Sequence, residues 1–415
     1  MTQAQPRPSD DALADLKVLD MSGPIGVYCA KLMADLGADV LRVEPPGGDP
    51  MRKLGPFYND DQNPEHSLYW WHFNTSKRGI TLNIENPEGK EIFKRLALWA
   101  DVLIETFEPG YLDRLGLGWD ALHQLNPRLI VSSITPFGQT GPYAHFKGPD
   151  IVGQAMSGIM NSVGVPERPP YTIGHEMGYW SAGTLAADAT MLAVAFRDIG
   201  GVGQHVDTSM QQAMAIGLVG SLQQYQVLGN LSSRGTLLPG RRSARSVYRC
   251  KDGWVFFIPA AVGTSMEAVR DMFTEYGFGE EFDPKWLDPN LIRTSAEEGA
   301  RFEELADRFF AKYTKWELLE MAFNRPKVVF ITPTDTPEDV VRSPHLKARG
   351  FMQDVHHPEL NKTFQYPGAP FKLPESPWEI HRRAPLIGEH NQEVYKDVLG
   401  MTGQELERLK KQGII

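Results

Sequence analysis

The first third of the chain alternates between short apolar runs and longer segments of helical periodicity, and this alternation constrains the fold most strongly. The runs are too short for helices, while the segments between them repeat apolar residues every three to four positions. Strands that alternate with helices predict an α/β fold, a parallel sheet with helices on both faces in a Rossmann-like arrangement. The predicted strands are Leu16–Met21, Asp39–Glu44, Ile80–Ile84, Asp101–Phe107 and Arg128–Ile134, and the helices between them include Val27–Leu36, Glu88–Ala100 and Trp119–Leu125.

The pattern changes after this region. We expect long helices at Ala186–Phe196 and Met210–Val227, and then a β-hairpin in which Val247–Cys250 and Trp254–Pro259 flank an Asp-Gly turn. A chain of 415 residues is longer than one typical core requires. We therefore predict a large domain over residues 1–228, a small α/β domain over 229–335 and a C-terminal segment over 336–415 that ends in a helix at Thr402–Lys411.

Composition excludes several functional classes. The net charge of −10 argues against nucleic-acid binding, although a few local cations can still hold a phosphorylated small ligand. No apolar run reaches about 18 residues and no signal-peptide pattern opens the chain, so we expect no membrane association. Two widely separated cysteines, Cys29 and Cys250, indicate a reducing, cytoplasmic location and no zinc site. The adjacent pair His356-His357 has poor geometry for one metal, so we expect solvated loop histidines and no metal.

A glycine-containing turn keeps one alternative open. Residues Ser22–Gly26 follow a predicted strand and open a helix, where dinucleotide enzymes bind pyrophosphate. The G-x-G-x-x-G spacing is absent, which favours an ordinary strand-to-helix turn. Because Glu44 ends the second strand, where an acid can hold a ribose, an NAD-dependent dehydrogenase stays an alternative.

Basic residues lie near the ends of several predicted strands. Lys77 and Arg78 directly precede one strand, Arg114 follows another by a short loop, and Lys147 precedes a helix. Ordinary surface charge explains most such residues, but open α/β sheets bind their ligands past the carboxyl ends of the strands. A phosphate-bearing ligand would find charged donors there, with Phe107 available to stack against a ring.

Five blocks, in order along the chain, carry a resemblance to one family. They are residues 16–52 (opening LKVLDMSGPIGVYCAKL), 74–119 (opening NTSKRGITLNIENPEGK), 125–143 (LNPRLIVSSITPFGQTGPY), 338–351 (EDVVRSPHLKARGF) and 384–393 (APLIGEHNQE). Together they resemble the class III CoA-transferases, the formyl-CoA transferase and CaiB/BaiF group. The resemblance implies a large Rossmann-like domain built from both chain ends, a smaller α/β domain, and two subunits interlocked as rings.

The resemblance also implies a ligand and a chemistry. Family members use an aspartate to attack an acyl-CoA thioester, and CoA then moves between two carboxylic acids through anhydride and thioester intermediates. The substrates would be coenzyme A as acyl-CoA and a carboxylic acid, with no metal. By motif match, the residues that would hold CoA are Lys77, Arg78, Thr106, Phe107, Arg114 and Lys147.

The chain departs from the family at the catalytic position. Counting nine residues on from Pro170, or eighteen back from Arg197, leads to Tyr179 where the family has aspartate. A phenol with a pKa near 10 cannot form the mixed anhydride. The turn after Asp20 is also one residue shorter than in typical members. Glu176, three residues before Tyr179, is a candidate nucleophile, although an acid near a helix N-terminus is also stabilised there without any catalytic role.

These departures predict a non-catalytic subunit of a heteromeric CoA-transferase, such as the benzylsuccinate CoA-transferases of anaerobic aromatic degradation. The donor would be an acyl-CoA such as succinyl-CoA, and the partner a homologous subunit with the aspartate, in a heterodimer or heterotetramer; otherwise the chain would form a homodimer. The alternatives are a self-sufficient transferase that uses Glu176 as nucleophile, an acyl-CoA racemase-like enzyme, and the dehydrogenase above.

Overall fold

The computed structural model describes residues 11–164, 168–218, 220–231, 234, 245–259 and 264–415. The chain divides into two compact units. The large unit contains the residues up to Ile159, Thr172–Gly217 and Ala348–Ile415, and the small unit contains Met160–Tyr171 and Leu218–Lys347.

A parallel sheet forms the centre of the large unit. Within the described ranges it has six strands in the order β3-β2-β1-β4-β5-β6, and every neighbouring pair is parallel. This mixed α/β fold with a parallel sheet confirms the fold class expected from the sequence, and its strand order is that of dinucleotide-binding folds. The strands are β1 (Lys17–Met21), β2 (Asp39–Glu44), β3 (Arg78–Thr81), β4 (Val102–Glu105), β5 (Ile130–Thr135) and β6 (His205–Ser209).

Helices cover both faces of this sheet. One face packs Leu19, Leu41 and Leu103 against one set of helices, and the opposite face packs Val18 and Val40 against the other set. This division follows from the alternation of side chains along each strand. The helices are α1 (Val27–Asp35), α2 (Leu68–Phe73), α3 (Pro87–Trp99), α4 (Tyr111–Leu115), α5 (Trp119–Leu125), α6 (Asp150–Met156), α7 (Met177–Gly200) and α8 (Met210–Ala215), with 3₁₀ turns at Pro50–Lys53, Tyr58–Asp60, Pro64–His66, Ile159–Ser162 and Ile216–Leu218.

The small unit packs helices on an antiparallel sheet of order β7-β8-β9. The predicted hairpin is confirmed, since Val247 pairs with Phe256 and Cys250 with Gly253. Its core is rich in phenylalanine. The elements are α9 (Ser221–Leu228), β7 (Val247–Cys250), β8 (Gly253–Phe257), α10 (Met266–Glu275), α11 (Pro289–Thr294), α12 (Ala296–Phe310), α13 (Lys315–Phe323), β9 (Ile331–Thr334), α14 (Pro337–Arg342) and α15 (Pro344–Ala348), with 3₁₀ turns at Gly279–Glu281 and Pro284–Leu287.

One predicted helix is interrupted. The expected helix Met210–Val227 is wrong as a single element, because α8 ends at Ala215 and α9 begins at Ser221. Gly217 and Gly220 lie between them. Glycine is unfavourable inside a helix by about 1 kcal/mol relative to alanine, so two glycines allow the chain to leave the helical path.

The C-terminal part of the large unit contains a hairpin that the sequence interpretation missed. It comprises β10 (Met352–His357), a 3₁₀ turn at Pro358–Leu360 and β11 (Lys362–Pro367), followed by α16 (Asn391–Glu393), a π-helical turn (Val394–Val398) and α17 (Gly403–Lys411). The assignment of His356-His357 to a solvated loop is wrong. His357 is fully buried in β10, where Nε2 lies 2.9 Å from the Tyr366 hydroxyl and the ring packs 4.2 Å from Trp71.

The same C-terminal region covers the edge of the central sheet that β3 forms. The Gly79 amide donates to His390 Nδ1 at 3.1 Å and the Thr81 amide donates to Asn391 Oδ1 at 2.8 Å. Tyr395 donates its hydroxyl to the Thr81 carbonyl at 2.6 Å. The edge strand β3 therefore has side-chain partners in place of a further strand, which is one way to protect a sheet edge.

Arg52 forms a buried ionic contact that joins distant segments. Its Nε and Nη2 donate to the two carboxylate oxygens of Glu44 at 2.6 and 2.8 Å, and its Nη2 also donates to the Pro385 carbonyl at 2.9 Å. The guanidinium lies 3.8 Å from the centre of the Trp70 ring. Both Glu44 and Arg52 are inaccessible to solvent, so Glu44 depends on Arg52 for compensation of its lost hydration, while Arg52 also donates to Glu65 at 2.7 Å.

Among the described residues, no helix combines the length and the apolar character needed to cross a membrane.

We predict that Arg52→Met lowers the free energy of unfolding by about 3–5 kcal/mol, because Glu44 would stay buried without its cation. Lys94→Met is the matched control, since Lys94 pairs with Glu91 at 2.8 Å on the exposed face of α3 and such pairs contribute little. Guanidinium denaturation followed by tryptophan fluorescence measures both. Equal effects of the two substitutions would contradict the prediction.

Candidate functional site

The candidate site lies at the carboxyl ends of β1 and β4, where the strand order reverses. Ligands of open α/β sheets bind at such a point. The Gly23 amide donates to Thr106 Oγ1 at 2.7 Å, which joins the turn after β1 to the loop after β4. At Gly26 a Cβ atom would lie only 2.6 Å from Thr106 Cγ2, so this turn requires glycine. Thr106 thus holds the two loops together.

Lys77 takes part in a buried ionic network below this turn. Its ammonium donates to Asp20 Oδ2 at 2.8 Å and to Asn74 Oδ1 at 3.0 Å, and Arg42 Nη1 donates to Asp20 Oδ1 at 2.9 Å. Burial opposes the ionisation of Asp20, but the charges of Arg42 and Lys77 outweigh it and lower the pKa of Asp20 to about 2. Burial lowers the pKa of Lys77 to about 8 although Asp20 opposes this. The buried ammonium of Lys77 thus already has two acceptors inside the protein.

Arg78 lies apart from the candidate site. Its guanidinium donates to both carboxylate oxygens of Asp39, at 2.9 and 2.7 Å, and to Glu393 at 2.6 Å. Asp39 is the first residue of β2, so this guanidinium lies toward the amino ends of the strands. The structure therefore does not bring Arg78 together with Thr106.

Phe107 and Arg114 come together on the loop and helix after β4. The Phe107 ring stacks on Tyr111 with centroids 4.7 Å apart and planes at 29°, and the Arg114 guanidinium lies 5.9 Å from the Tyr111 ring. Lys147 is exposed on the loop between β5 and α6. In the part of the chain that the structure describes, neither Arg114 nor Lys147 forms an ion pair. The stacked rings of Phe107 and Tyr111, here called the aromatic platform, and the neighbouring Arg114 suit a ligand that carries a ring and phosphates, and Lys147 is a further exposed cation on the loop after the adjacent strand.

Glu105, which the sequence interpretation did not single out, contacts the backbone of Phe107 in this platform. It ends β4 with its side chain buried, and its Oε2 accepts the Phe107 amide at 2.6 Å. Burial raises the pKa of Glu105 to about 7. The available signal was an acid at the last position of an otherwise apolar strand, just before the Thr106-Phe107 pair.

Tyr179 lies in the first turn of α7. Its amide and that of Gly178 donate to Asp150 Oδ1 at 3.3 and 2.7 Å, and Gln154 donates to Asp150 Oδ2 at 2.6 Å. Asp150 thereby satisfies amide groups that a helix N-terminus leaves without partners. Burial raises the pKa of the Tyr179 phenol above its ordinary value, so the group stays protonated at neutral pH.

Glu176 precedes α7 in a left-handed backbone conformation, with φ 52° and ψ 44°, and His175 before it has φ 62°. Such conformations are uncommon for residues other than glycine. The Glu176 side chain does not cap the helix; its Oε2 accepts the Tyr69 hydroxyl at 2.9 Å. Burial and the nearby Glu176 carboxylate raise the pKa of Tyr69.

No group of three or more His, Cys, Asp or Glu side chains among the described residues is arranged to hold a metal ion.

Comparison with known proteins gives consistent results. Residues 13–391 match the model of CoA-transferase family III. The chain is 34% identical to the succinyl-CoA:(R)-benzylsuccinate CoA-transferase subunit BbsE of Thauera aromatica, over 96% of this chain and 97% of that protein. It is 33% identical to the succinyl-CoA--D-citramalate CoA-transferase of Chloroflexus aurantiacus over the full length of both. The crystal structure of a CAIB/BAIF family protein from Brucella suis superposes with a TM-score of 0.80 at 30% identity, covering 94% of this chain and 99% of that one.

We predict that Asp150→Ala lowers the free energy of unfolding by about 1–2 kcal/mol, because two amides of α7 lose their acceptor. The control is Asp198→Ala near the other end of the same helix, where an exposed carboxylate loses its pairs with Arg197 and Arg128 and the expected loss is below about 1 kcal/mol. Chemical denaturation compares the two variants with the unchanged protein. A loss at Asp198 equal to that at Asp150 would rule out the capping role.

Proposed function

Because the chain belongs to family III of the CoA-transferases, we propose that it is one subunit of a heteromeric enzyme and that a homologous partner supplies the catalytic carboxylate. The family moves CoA from an acyl-CoA donor to a carboxylic acid. The matching family model describes CoA-transferases, and both relatives above are named as CoA-transferases. The observation that carries the proposal is Tyr179, which stands at the position where motif matching places the family's aspartate.

The chemistry of the reaction supports a non-catalytic role for a chain with this substitution. A carboxylate can form an anhydride with an acyl group and be released from it by CoA, whereas a phenol would have to lose its proton first. Burial shifts the phenol of Tyr179 further from that state. Asp150 does not replace the missing group, since its oxygens accept hydrogen bonds from Gly178, Tyr179 and Gln154.

An exposed apolar face on α7 supports a partner subunit. Leu192 and Ile199 are 72% and 91% exposed, and Phe196 lies between them on the same side of the helix. Contiguous apolar surface of this kind commonly marks a protein interface. We propose that a homologous subunit covers it in the interlocked arrangement that the family resemblance implies, and that a second copy of this chain is the alternative partner.

We further propose succinyl-CoA as the acyl donor, because the names of both relatives above specify it. In this proposal the exposed side chains of Arg114 and Lys147 bind phosphates and Phe107 stacks on the base, while Thr106 braces the loop. Lys77 and Arg78 would contribute only by leaving Asp20 and Asp39, their present partners. A carboxylic acid is the acceptor; a role in anaerobic aromatic degradation and a cytoplasmic location stay predictions.

One observation favours a second candidate, a self-sufficient transferase that uses Glu176. This carboxylate lies one residue before α7 and is oriented by the Tyr69 hydroxyl at 2.9 Å. Its strained backbone is also of a kind that clusters at functional sites.

We expect the purified chain alone to transfer no CoA from succinyl-CoA to carboxylic acids, and to gain activity when co-expressed with a homologue that has the aspartate. Product chromatography measures transfer, and intact-mass analysis of the purified complex identifies both subunits. Within the complex Tyr179→Phe would leave activity unchanged. Activity of the chain alone that Glu176→Gln abolishes, while the exposed-site control Glu91→Gln does not, would establish the second candidate instead.

CoA binding tests the ligand part of the proposal. We expect Arg114→Ala and Lys147→Ala each to raise the Kd for CoA about tenfold, because each removes one charge-assisted phosphate contact. Arg128→Ala is the control. This exposed arginine precedes β5 and therefore lies at the amino ends of the strands, away from the candidate site. Isothermal titration calorimetry gives the three constants. Unchanged affinity in both test variants would contradict the assignment.

A further inference from the structure

A buried carboxylate holds the backbone of Phe107 in place. β4 ends at Glu105, so the Phe107 amide lies beyond the regular sheet pairing. The Glu105 carboxylate accepts this amide at 2.6 Å, a distance typical of a strong, charge-assisted hydrogen bond. The contact fixes the direction in which the chain leaves the strand, and therefore the position of the Phe107 ring.

The platform is a chain of contacts that begins at this hydrogen bond. Phe107 stacks on Tyr111, whose hydroxyl donates to Glu85 at 3.0 Å and whose ring lies 5.9 Å from the Arg114 guanidinium. A shift at the Phe107 backbone would move the ring that Tyr111 contacts. The Phe107 end of this ring pair is thus held by Glu105, and the Tyr111 end is held by Glu85.

Among the described residues, the groups that most affect the ionisation of Glu105 are acids and hydrogen-bond donors. Asp113 of α4 and Asp207 of β6 both disfavour its ionised form, whereas Ser133 of β5 hydrogen-bonds to it. Ser133 Oγ also lies 2.8 Å from Nε2 of His205, and burial lowers the pKa of this histidine. On the other side the register neighbour in β1 is Met21, which carries no charge. The ionised carboxylate is therefore held chiefly by the Phe107 amide and the Ser133 hydroxyl.

We propose that Glu105 is a positioning residue that sets the Phe107–Tyr111 ring pair for the nucleotide end of CoA, an inference that rests on the ligand site proposed above. Glu105 itself does not touch the ligand. It acts through the backbone amide of Phe107, and it does so best as a carboxylate. Because burial places its pKa at about 7, the bond is strong above neutral pH and weakens as the pH falls.

The test compares CoA binding by the full chain and by Glu105→Gln, which keeps the size of the side chain but cannot ionise. At pH 8.5 we expect the Kd of Glu105→Gln for CoA to be about tenfold above that of the unchanged protein, because the variant loses the charge-assisted hydrogen bond to the Phe107 amide. The ratio should approach one at pH 6, where both side chains are neutral. Taking the ratio cancels the titration of the CoA phosphates, which affects both proteins equally.

The matched control is Glu108→Gln, an exposed glutamate in the same loop. It removes the same charge near the polyanionic ligand without any contact to the Phe107 amide, so its Kd should be unchanged or slightly lower at both pH values. If Glu105→Gln also binds CoA as tightly as the unchanged protein or more tightly at pH 8.5, Glu105 acts only as a repelling charge. That result would overturn the proposal, and so would a ratio independent of pH.

Hydrogen exchange of the peptide that contains Phe107 provides a readout that needs no ligand. We expect one additional fast-exchanging amide in Glu105→Gln and none in Glu108→Gln, with equal unfolding midpoints to confirm that both variants are folded. Unchanged protection of the peptide would overturn the positioning role. Absence of CoA binding by the unchanged protein, together with the expected exchange, would instead contradict the proposed ligand site and leave the role of Glu105 in the loop intact.

Discussion

The structure depends on how the carboxylates buried at the carboxyl ends of β1 and β2 are compensated. Asp20 and Glu44 are both inaccessible to solvent, and an unpaired charge in such a place is strongly destabilising. Lys77 and Arg52 supply the opposite charges, and the Trp70 ring covers the Arg52 guanidinium. Lys77 and Arg52 lie outside the strands that contain Asp20 and Glu44. These ion pairs therefore hold the segment 50–77 against the carboxyl ends of β1 and β2.

This pairing divides the basic residues that were expected to bind CoA into two groups. Lys77 and Arg78 neutralise carboxylates of the protein itself, at 2.8 Å and 2.7 Å. Arg114 and Lys147 are exposed and, among the described residues, have no ion-pair partner. Lys77 cannot leave the buried carboxylate of Asp20 for a phosphate without cost, and Arg78 pairs with the partly exposed Asp39 at the amino end of β2, away from the site. We therefore expect Arg114, Lys147 and the rings of Phe107 and Tyr111 to contribute most to recognition of the nucleotide.

The acidic side chains near the first turn of α7 are likewise engaged in hydrogen bonds within the protein. Asp150 accepts helix amides, and Glu176 accepts the Tyr69 hydroxyl. An acyl acceptor must present a carboxylate oxygen to the thioester, and at position 179 this chain presents a protonated phenol instead. These contacts hold the helix and the loop in place, which supports the proposal that this chain contributes structure and that a partner supplies the reacting carboxylate.

The sequence by itself determined the alternation of strands and helices, the Asp252-Gly253 hairpin and, through five ordered blocks, the family. These properties are local, since periodicity reports which face of an element is apolar. The tertiary structure alone decided that Lys77 pairs with Asp20 across 57 positions, that Glu105 holds the Phe107 amide from a buried site, and that His357 is enclosed in a strand. The β6 strand was also missed, because His205–Ser209 is short and polar and becomes a strand by pairing with β5. The partner and the burial of a charged group depend on which segments the fold brings together, and no local pattern contains that information.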